Sequence, residues 1–225
     1  MRTILRLSLL LVMAAIPAVA SGADRNGIQL QVAGLFGSPS GTYASAGDAS
    51  LSDYFAAAPG FGITGTLGVT RMFHAGVRYG VLRSAKESSY TFDDLTLPGG
   101  ATPPGSGPFE TRRTLTVSEF AGIVEYRRPL RQGAHLFLEA GAGLFTFSER
   151  VKVTEGGTGL LTIGGYQQEP MWTAGAGASF RVLRNFDLVV SGRWSQAMTG
   201  DGDIWSAGDD PAFAVASVGL RYPNY

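Results

Sequence analysis

The segment that most constrains the fold is residues 60–82, GFGITGTLGVTRMFHAGVRYGVL, which contains two runs of strict two-residue alternation separated by a short break. Its odd-numbered positions are almost all apolar. Its even-numbered positions are mostly glycine and threonine, together with His74 and Arg78. A period of two is that of a β-strand, in which successive side chains point to opposite faces. The segment therefore predicts a hairpin of two antiparallel strands that turns near Arg71.

The same alternation recurs along the chain and defines eight segments in total. Each segment reaches or approaches the ~9–11 residues that a tilted membrane-spanning strand needs. The segments are residues 28–37, the two runs of 60–82, then 114–127, 134–147, 172–181, 186–195 and 214–222.

One of these segments, residues 114–127, breaks the pattern at its start. Leu115 and Val117 lie at the alternate positions that are mostly polar in the rest of the strand, here called the polar parity. Thr114, Thr116 and Ser118 lie at the other alternate positions, the apolar parity. Either the strand projects beyond the bilayer here, or a β-bulge shifts its register. The sequence leaves both explanations open.

The connections between the segments alternate in length. Short ones fall near residues 70–72, 129–133 and 182–185, and long ones fall at about 38–59, 84–112, 149–169 and 198–211. The long ones are rich in glycine, proline and other turn-forming residues, as in LPGGATPPGSGP and EGGTG. Short turns at one end and long loops at the other are the plan of an outer-membrane barrel.

The N-terminus has the form of a secretory signal peptide. Arg2 and Arg6 precede a mostly apolar run, and the small-residue sequence AVA ends at Ala20. We predict that residues 1–20 are a cleaved signal peptide, with cleavage after Ala20 or Ala23, and that residues 24–225 form one domain. The chain has no cysteine and a formal net charge of zero, which disfavours disulfide scaffolds and nucleic-acid binding.

The apolar face of the strands could point inward or outward, and its direction decides the class of protein. A soluble barrel of lipocalin type would turn this face inward. The polar face, however, is rich in glycine, which suits a narrow closed lumen better than a solvated surface. Aromatic residues gather at both ends of the apolar face and its middle carries no charge, as a bilayer selects. We therefore predict an all-β fold, an eight-stranded antiparallel up-and-down transmembrane β-barrel.

The end of the chain, SVGLRYPNY, looks like the C-terminal strand signal read by the barrel-insertion machinery. Gly219 and Tyr222 match that signal, whereas the terminal Tyr225 follows Tyr222 by three residues instead of two. With the signal peptide, the eight segments and the loop asymmetry, the whole mature chain resembles small outer-membrane β-barrel proteins of the OmpA, OmpX and OmpW type. The resemblance implies an outer-membrane location, a monomer, and outer-membrane lipids and the barrel-assembly machinery as partners.

With lipid outside, the polar face lines the lumen, and its charges nearly balance. The interior of an eight-stranded barrel is just wide enough to be filled by side chains, and a charge buried there needs a partner. We expect a structural lumenal network formed by Arg78, Glu119, Glu125, Glu139, Arg193 and Arg221. The network would close the lumen and leave the protein a structural or surface-interaction role. The alternative is a narrow channel for small or hydrophobic solutes.

A lipid A-modifying enzyme is a second alternative, since some outer-membrane barrels of the type that the chain resembles carry such activity. Catalysis of that kind needs a nucleophile and a base within hydrogen-bond reach. His74 and His135 stand in FHAG and AHLF with no serine beside them, so we expect them to fill the lumen. The sequence thus predicts no enzyme and no cofactor.

The long loops are where an extracellular ligand would bind, although no motif in them names one. The last long loop carries four aspartates, and oxygen-rich acidic loops can bind calcium, but the spacing departs from that of an EF-hand calcium loop. We expect a solvated acidic loop there and no metal site. The aspartates are Asp201, Asp203, Asp209 and Asp210.

Overall fold

The computed structural model describes residues 27–41, 50–90, 109–130, 133–198 and 210–223, so the predicted signal peptide lies outside the described residues. Eight strands pair antiparallel in chain order, and the last pairs with the first to close a barrel. The predicted fold class is confirmed. The strands are β1 Ile28–Ser40, β2 Ala58–Gly68, β3 Phe73–Tyr90, β4 Phe109–Pro129, β5 Ala134–Glu155, β6 Thr158–Leu183, β7 Phe186–Ala197 and β8 Ala212–Pro223, and a short helix α1, Leu51–Tyr54, lies between β1 and β2.

None of the helices in the described residues is long and apolar enough to cross a membrane.

The apolar face of the strands points outward. In the β2–β3 hairpin Phe61 is 52% exposed, whereas Thr64, His74 and Arg78 of the opposite parity are 8% exposed or less. The hairpin turns at residues 69–72, where the Val69 amide donates to the Phe73 carbonyl at 2.8 Å. This orientation contradicts a soluble barrel with an apolar interior and matches a barrel whose outer wall contacts lipid.

The outer wall forms a continuous apolar belt between two levels of aromatic side chains. Phe73 and Tyr126 pack with tilted rings, 5.2 Å between centroids, near the short turns, and Trp172 and Trp194 lie at the other level. Between the two levels, the outward positions of all eight strands carry no charged residue. In bacterial barrels the short turns lie at the periplasmic end, so the longer connections lie at the outer end.

Inward glycines allow the narrow barrel to close. A Cβ added at Gly143 would lie 1.9 Å from a backbone oxygen of β4, and one at Gly76 would lie 2.0 Å from a backbone oxygen of β2. No side chain tolerates such contacts without a backbone shift. The glycine-rich polar parity therefore reflects the lack of space inside.

The predicted long connection at 149–169 is wrong. Strands β5 and β6 continue through this region and are joined by a tight turn at Gly156 and Gly157, whose φ angles of 55° and 82° suit a two-residue hairpin turn. Strands β3 and β4 likewise continue to Tyr90 and from Phe109. The connection between them is therefore shorter than predicted.

These longer strands form a four-stranded sheet beyond the belt, here called the extension. It comprises residues 83–90, 109–118, 146–155 and 158–169. In the described residues, the pairing of β2 with β3 ends at Leu82 of β3, and the pairing of β7 with β6 begins at Met171 of β6. Neither β2 nor β7 therefore pairs with the extension. At ~3.3 Å per residue and a tilt of ~40°, the extension rises roughly 25 Å beyond the belt.

The irregular start of β4 is explained by the extension. The strand pairs with β3 and β5 without a register shift, so the alternative of a bulge is wrong. Leu115 and Val117 point inward and are 1% and 3% exposed, while Thr114 and Thr116 face outward above the belt. The strand projects beyond the bilayer, which confirms the other explanation.

Candidate functional site

Most of the ion pairs inside the described part of the barrel form two linked clusters, one above the other. The upper ion-pair cluster consists of Arg78, Glu119, Glu139 and Arg193, which come from four different strands. Arg78 donates to Glu139, and its Nη1 atom lies 3.9 Å from Glu119 Oε1. Arg193 Nη2 donates to Glu119 Oε2 at 3.0 Å. Two positive and two negative side chains, each 8% exposed or less, therefore neutralise one another within the wall.

The lower ion-pair cluster lies nearer the periplasmic end and centres on Glu125. Arg127 donates to this carboxylate and to Gln29, and Arg221 Nη2 lies 3.3 Å from Glu125 Oε2. Arg221 Nη2 also donates to Gln31 Oε1 at 2.9 Å. Both arginines are thus held by side chains from across the barrel.

The sequence-predicted lumenal residues lie together in these clusters. All six point inward, four into the upper cluster and two into the lower; the six are Arg78, Glu119, Glu125, Glu139, Arg193 and Arg221. Sequence reasoning missed Arg127, although it shares the parity of Glu125 on β4 and could have been found by that signal. Below them, Arg181 Nε lies 3.4 Å from Asp187 Oδ1 at the periplasmic rim.

The upper part of the interior is lined mainly by apolar side chains, beside a further buried ion pair in which Arg113 Nη1 lies 3.6 Å from Glu149 Oε1. It thus differs from the expected charged or polar plug. Inward-facing aromatics from β5 and β8 pack together, with ring centroids of Phe145 and Phe213 5.6 Å apart and those of Phe145 and Phe147 5.5 Å apart. We call this group the apolar cap. It comprises Leu35, Leu51, Phe55, Leu82, Leu115, Val117, Phe145, Phe147, Met171 and Phe213.

Helix α1 inserts two of these side chains into the barrel mouth. Ser50 caps the helix by accepting from the Ser52 amide, and the Asp53 carboxylate accepts from the Ser50 amide. The capped turn directs Leu51 and Phe55 inward, where they are 0% and 1% exposed. Sequence reasoning missed this segment, because four residues are too few to show a helical period.

The space left between the two clusters is small. A gap lined by Thr64, Arg78, Glu125, Phe137 and Glu139 among others has a volume of about 10 Å³. A volume of this size holds about one water molecule. Side chains therefore fill this part of the lumen.

The two histidines lie at the periplasmic part of the wall. His74 is buried and stands opposite Glu125 in the β3–β4 register, whereas His135 is partly exposed opposite Pro129. Within the described ranges, no group of three or more histidine and acidic residues is placed to hold a metal ion. Of the acidic loop, Asp201, Asp203 and Asp209 lie outside the described residues.

The C-terminal strand places its predicted assembly residues on both faces. Gly219 points inward, where a Cβ would lie 2.4 Å from the Val32 carbonyl oxygen. Tyr222 points outward and makes an edge-to-face contact with Phe186, with 5.6 Å between ring centroids. Tyr225 lies outside the described residues.

Comparison with known proteins finds likeness in structure only. No protein-family model matches the sequence. No curated protein matches it either. Among solved structures, Neisserial surface protein A is 14% identical with a TM-score of 0.50, over 89% of this chain and 100% of that one. A major outer membrane protein from Thermus thermophilus is 14% identical with a TM-score of 0.53, over 87% and 100%.

These likenesses, the closed ring of strands and the apolar belt define the class of the protein, an outer-membrane β-barrel. The chain has the fold of the small outer-membrane barrels that its sequence resembles, and its location is the outer membrane.

Proposed function

We propose that the protein is a closed barrel that anchors a rigid β-sheet at the cell surface, with a structural or surface-interaction role. The observation that carries this proposal is the filled interior. Two ion-pair clusters occupy the lower part of the lumen, and the apolar cap occupies its outer part.

The ion pairs support closure because they hold one another in place. Breaking a buried pair by removing one partner costs about 3–5 kcal/mol, since the remaining charge is left uncompensated. The upper cluster links β3, β4, β5 and β7, and the lower one reaches β1 and β8 through Gln31 and Arg221. The clusters therefore brace the wall as well as fill it.

The extension supports a role at the cell surface. It is continuous with the barrel wall and carries its own apolar group, in which Phe109, Val151 and Val153 are fully buried. A sheet with a packed inner face stands rigidly above the membrane. Sites built on rigid elements hold a ligand-binding geometry better than mobile loops do.

Planar-bilayer conductance tests closure, with Glu139→Gln as the test variant and Glu87→Gln as its matched control. Glu139 accepts from Arg78 inside the barrel, whereas Glu87 lies 3.6 Å from Arg112 on the surface. We expect no stable conductance from the wild type. We also expect a lower free energy of unfolding for Glu139→Gln than for the wild type, and an unchanged one for Glu87→Gln. A stable open channel in the wild type would refute the proposal.

The gap between the two clusters favours a second candidate, a narrow channel for small solutes. It already holds space for about one water molecule between Arg78 and Glu125. A channel also requires the apolar cap to open. If Glu139→Gln changes conductance while its stability equals that of the wild type, the channel replaces the plug as the better explanation.

We propose no catalytic role for either histidine. His74 is buried within the lumenal wall beside the lower ion-pair cluster, and its neighbour across the sheet is the paired carboxylate of Glu125. A lipid A hydrolysis assay with His74→Ala as the comparison tests this point. Any turnover that depends on His74 would contradict it.

A further inference from the structure

The outward face of the extension carries a cluster of cations, here called the basic patch, formed by Arg83, Arg112, Arg150 and Lys152. All four side chains are exposed. The strand registers place Arg112 directly opposite Lys152, and place Arg150 opposite Thr114 one step nearer the membrane. Arg83 lies opposite Thr116, a further step down.

This arrangement is unfavourable without a counter-charge. Like charges directly opposite on neighbouring strands destabilise a sheet, and their Cβ atoms are only about 4.5–5.5 Å apart. Among the residues that the structure describes, two carboxylates share the face: Glu87 lies 3.6 Å from Arg112, and Glu110 lies beyond it, farther from the membrane. On this described face, four cations against two carboxylates leave an excess of positive charge, which suits an anionic ligand with several phosphates.

The basic patch is continuous with the lipid-facing belt. Along the same outward parity of β4 and β5, the apolar row of Phe120 and Leu144 is followed by the hydroxyls of Ser118 and Thr146. The next rows hold further hydroxyls, at Thr116 and Ser148, and then the cations. Apolar, hydroxyl and cationic rows in this order match the acyl chains, sugars and phosphates of a glycolipid.

The height of the patch selects among lipids. At ~3.3 Å per residue and a tilt of ~40°, Arg83, Arg150 and Lys152 stand roughly 10, 15 and 20 Å above the belt. The headgroup layer of an ordinary bilayer is only about 5–8 Å thick on each side. Phosphates of a glycerophospholipid therefore stay below most of the patch, whereas phosphates on a saccharide core reach it.

We propose that the basic patch binds the phosphorylated saccharide of an anionic glycolipid in the outer leaflet, beside the barrel. This inference rests on the proposed surface role of the extension, and it does not depend on whether the lumen is closed. The glycolipid would neutralise the repulsion between Arg112 and Lys152. It would also fix the extension relative to the membrane surface.

The test compares two triple variants that remove the same charge. Arg112→Gln/Arg150→Gln/Lys152→Gln removes most of the basic patch. Its control, Arg71→Gln/Arg128→Gln/Arg184→Gln, removes three exposed arginines at the periplasmic end of the same wall. The probe is a glycolipid with a lipid A anchor and a phosphorylated inner-core saccharide, titrated into detergent-folded protein and followed by native mass spectrometry.

We expect the patch variant to bind the glycolipid on the order of 100-fold more weakly, at about fivefold for each cation removed. The control should bind like the wild type, and the dephosphorylated glycolipid should bind weakly to all three proteins. The proposal is overturned if the two triple variants behave alike. It is also overturned if phosphatidylglycerol, or the free core saccharide without its lipid, binds as tightly as the glycolipid.

Heat-dependent gel migration and bilayer conductance of the same proteins separate this proposal from the closed-barrel one. A folded patch variant that keeps the conductance of the wild type shows that any lost binding is local. Conductance in every variant, with glycolipid binding intact, contradicts only the closed lumen.

Discussion

Replacing Glu125 by glutamine should destabilise the barrel more than any single change to a surface ion pair. Glu125 is 1% exposed and accepts from Arg127 and Arg221, which are themselves almost fully buried. At the 3.3 Å between Glu125 Oε2 and Arg221 Nη2, the Coulomb energy is about 5 kcal/mol for an effective dielectric constant of 20.

The expected loss of unfolding free energy is about 3–5 kcal/mol, because glutamine keeps one acceptor but leaves both arginines without their carboxylate. Gln31 still accepts from Arg221, and Asp187 lies opposite it in the β7–β8 register, so we expect the fold to persist. The measurement is equilibrium unfolding by urea in lipid vesicles, followed by tryptophan fluorescence and by heat-dependent gel migration.

The matched control is Glu87→Gln, which removes a carboxylate from an ion pair whose side chains are 62% and 75% exposed. Exposed pairs contribute about 0–1 kcal/mol, so this variant should unfold like the wild type. Combining Glu125→Gln with Arg221→Met should recover part of the loss, because one stranded charge is then removed. If Glu125→Gln and Glu87→Gln have the same stability, the reasoning about the lower cluster is refuted.

Three further changes test the wall, the belt and the cap. Gly143→Ala should cost about 1–3 kcal/mol, since its Cβ would lie 1.9 Å from a backbone oxygen, whereas Gly165→Ala, with open space around its Cβ, should be neutral by urea unfolding. Val124→Arg, in the outward belt, should cost about 2–4 kcal/mol and lower the yield of folded protein in vesicles, while Gln168→Arg, which is exposed above the belt opposite Thr146, should not. Phe55→Ala should cost about 3–5 kcal/mol if the apolar cap is packed as described, and unchanged stability in urea would contradict that packing.

The sequence by itself determined the number of strands and which face of each meets lipid. A strand has a period of two, so side chains at alternate positions lie on the same side. When one set of alternate positions is charged or rich in glycine, the whole set is assigned to one side of the strand. The alternation in residues 60–82 therefore placed His74 and Arg78 on the side opposite Phe61 before any pairing was known. The absence of charge from the apolar parity then settled which side faces the bilayer.

Only the tertiary structure decided how far the strands continue and what fills the mouth. EGGTG reads as part of a long loop, yet the register of β5 against β6 makes it a tight hairpin turn within a longer sheet. Leu115 and Val117 were ambiguous for the same reason. In sequence, an apolar residue at an inward position indicates a shift of register. In the structure, the neighbouring Phe145 and Phe147 pack with these residues above the ion pairs, and no shift is needed.

The choice of ion-pair partners was also decided by tertiary structure. Parity placed Glu125 and Arg221 inside the barrel, but they are separated by 96 residues and belong to strands that are not neighbours. Which inward charges meet depends on the curvature and stagger of the closed barrel. A local pattern records the side to which a side chain points, whereas its partner across the lumen depends on how all eight strands close.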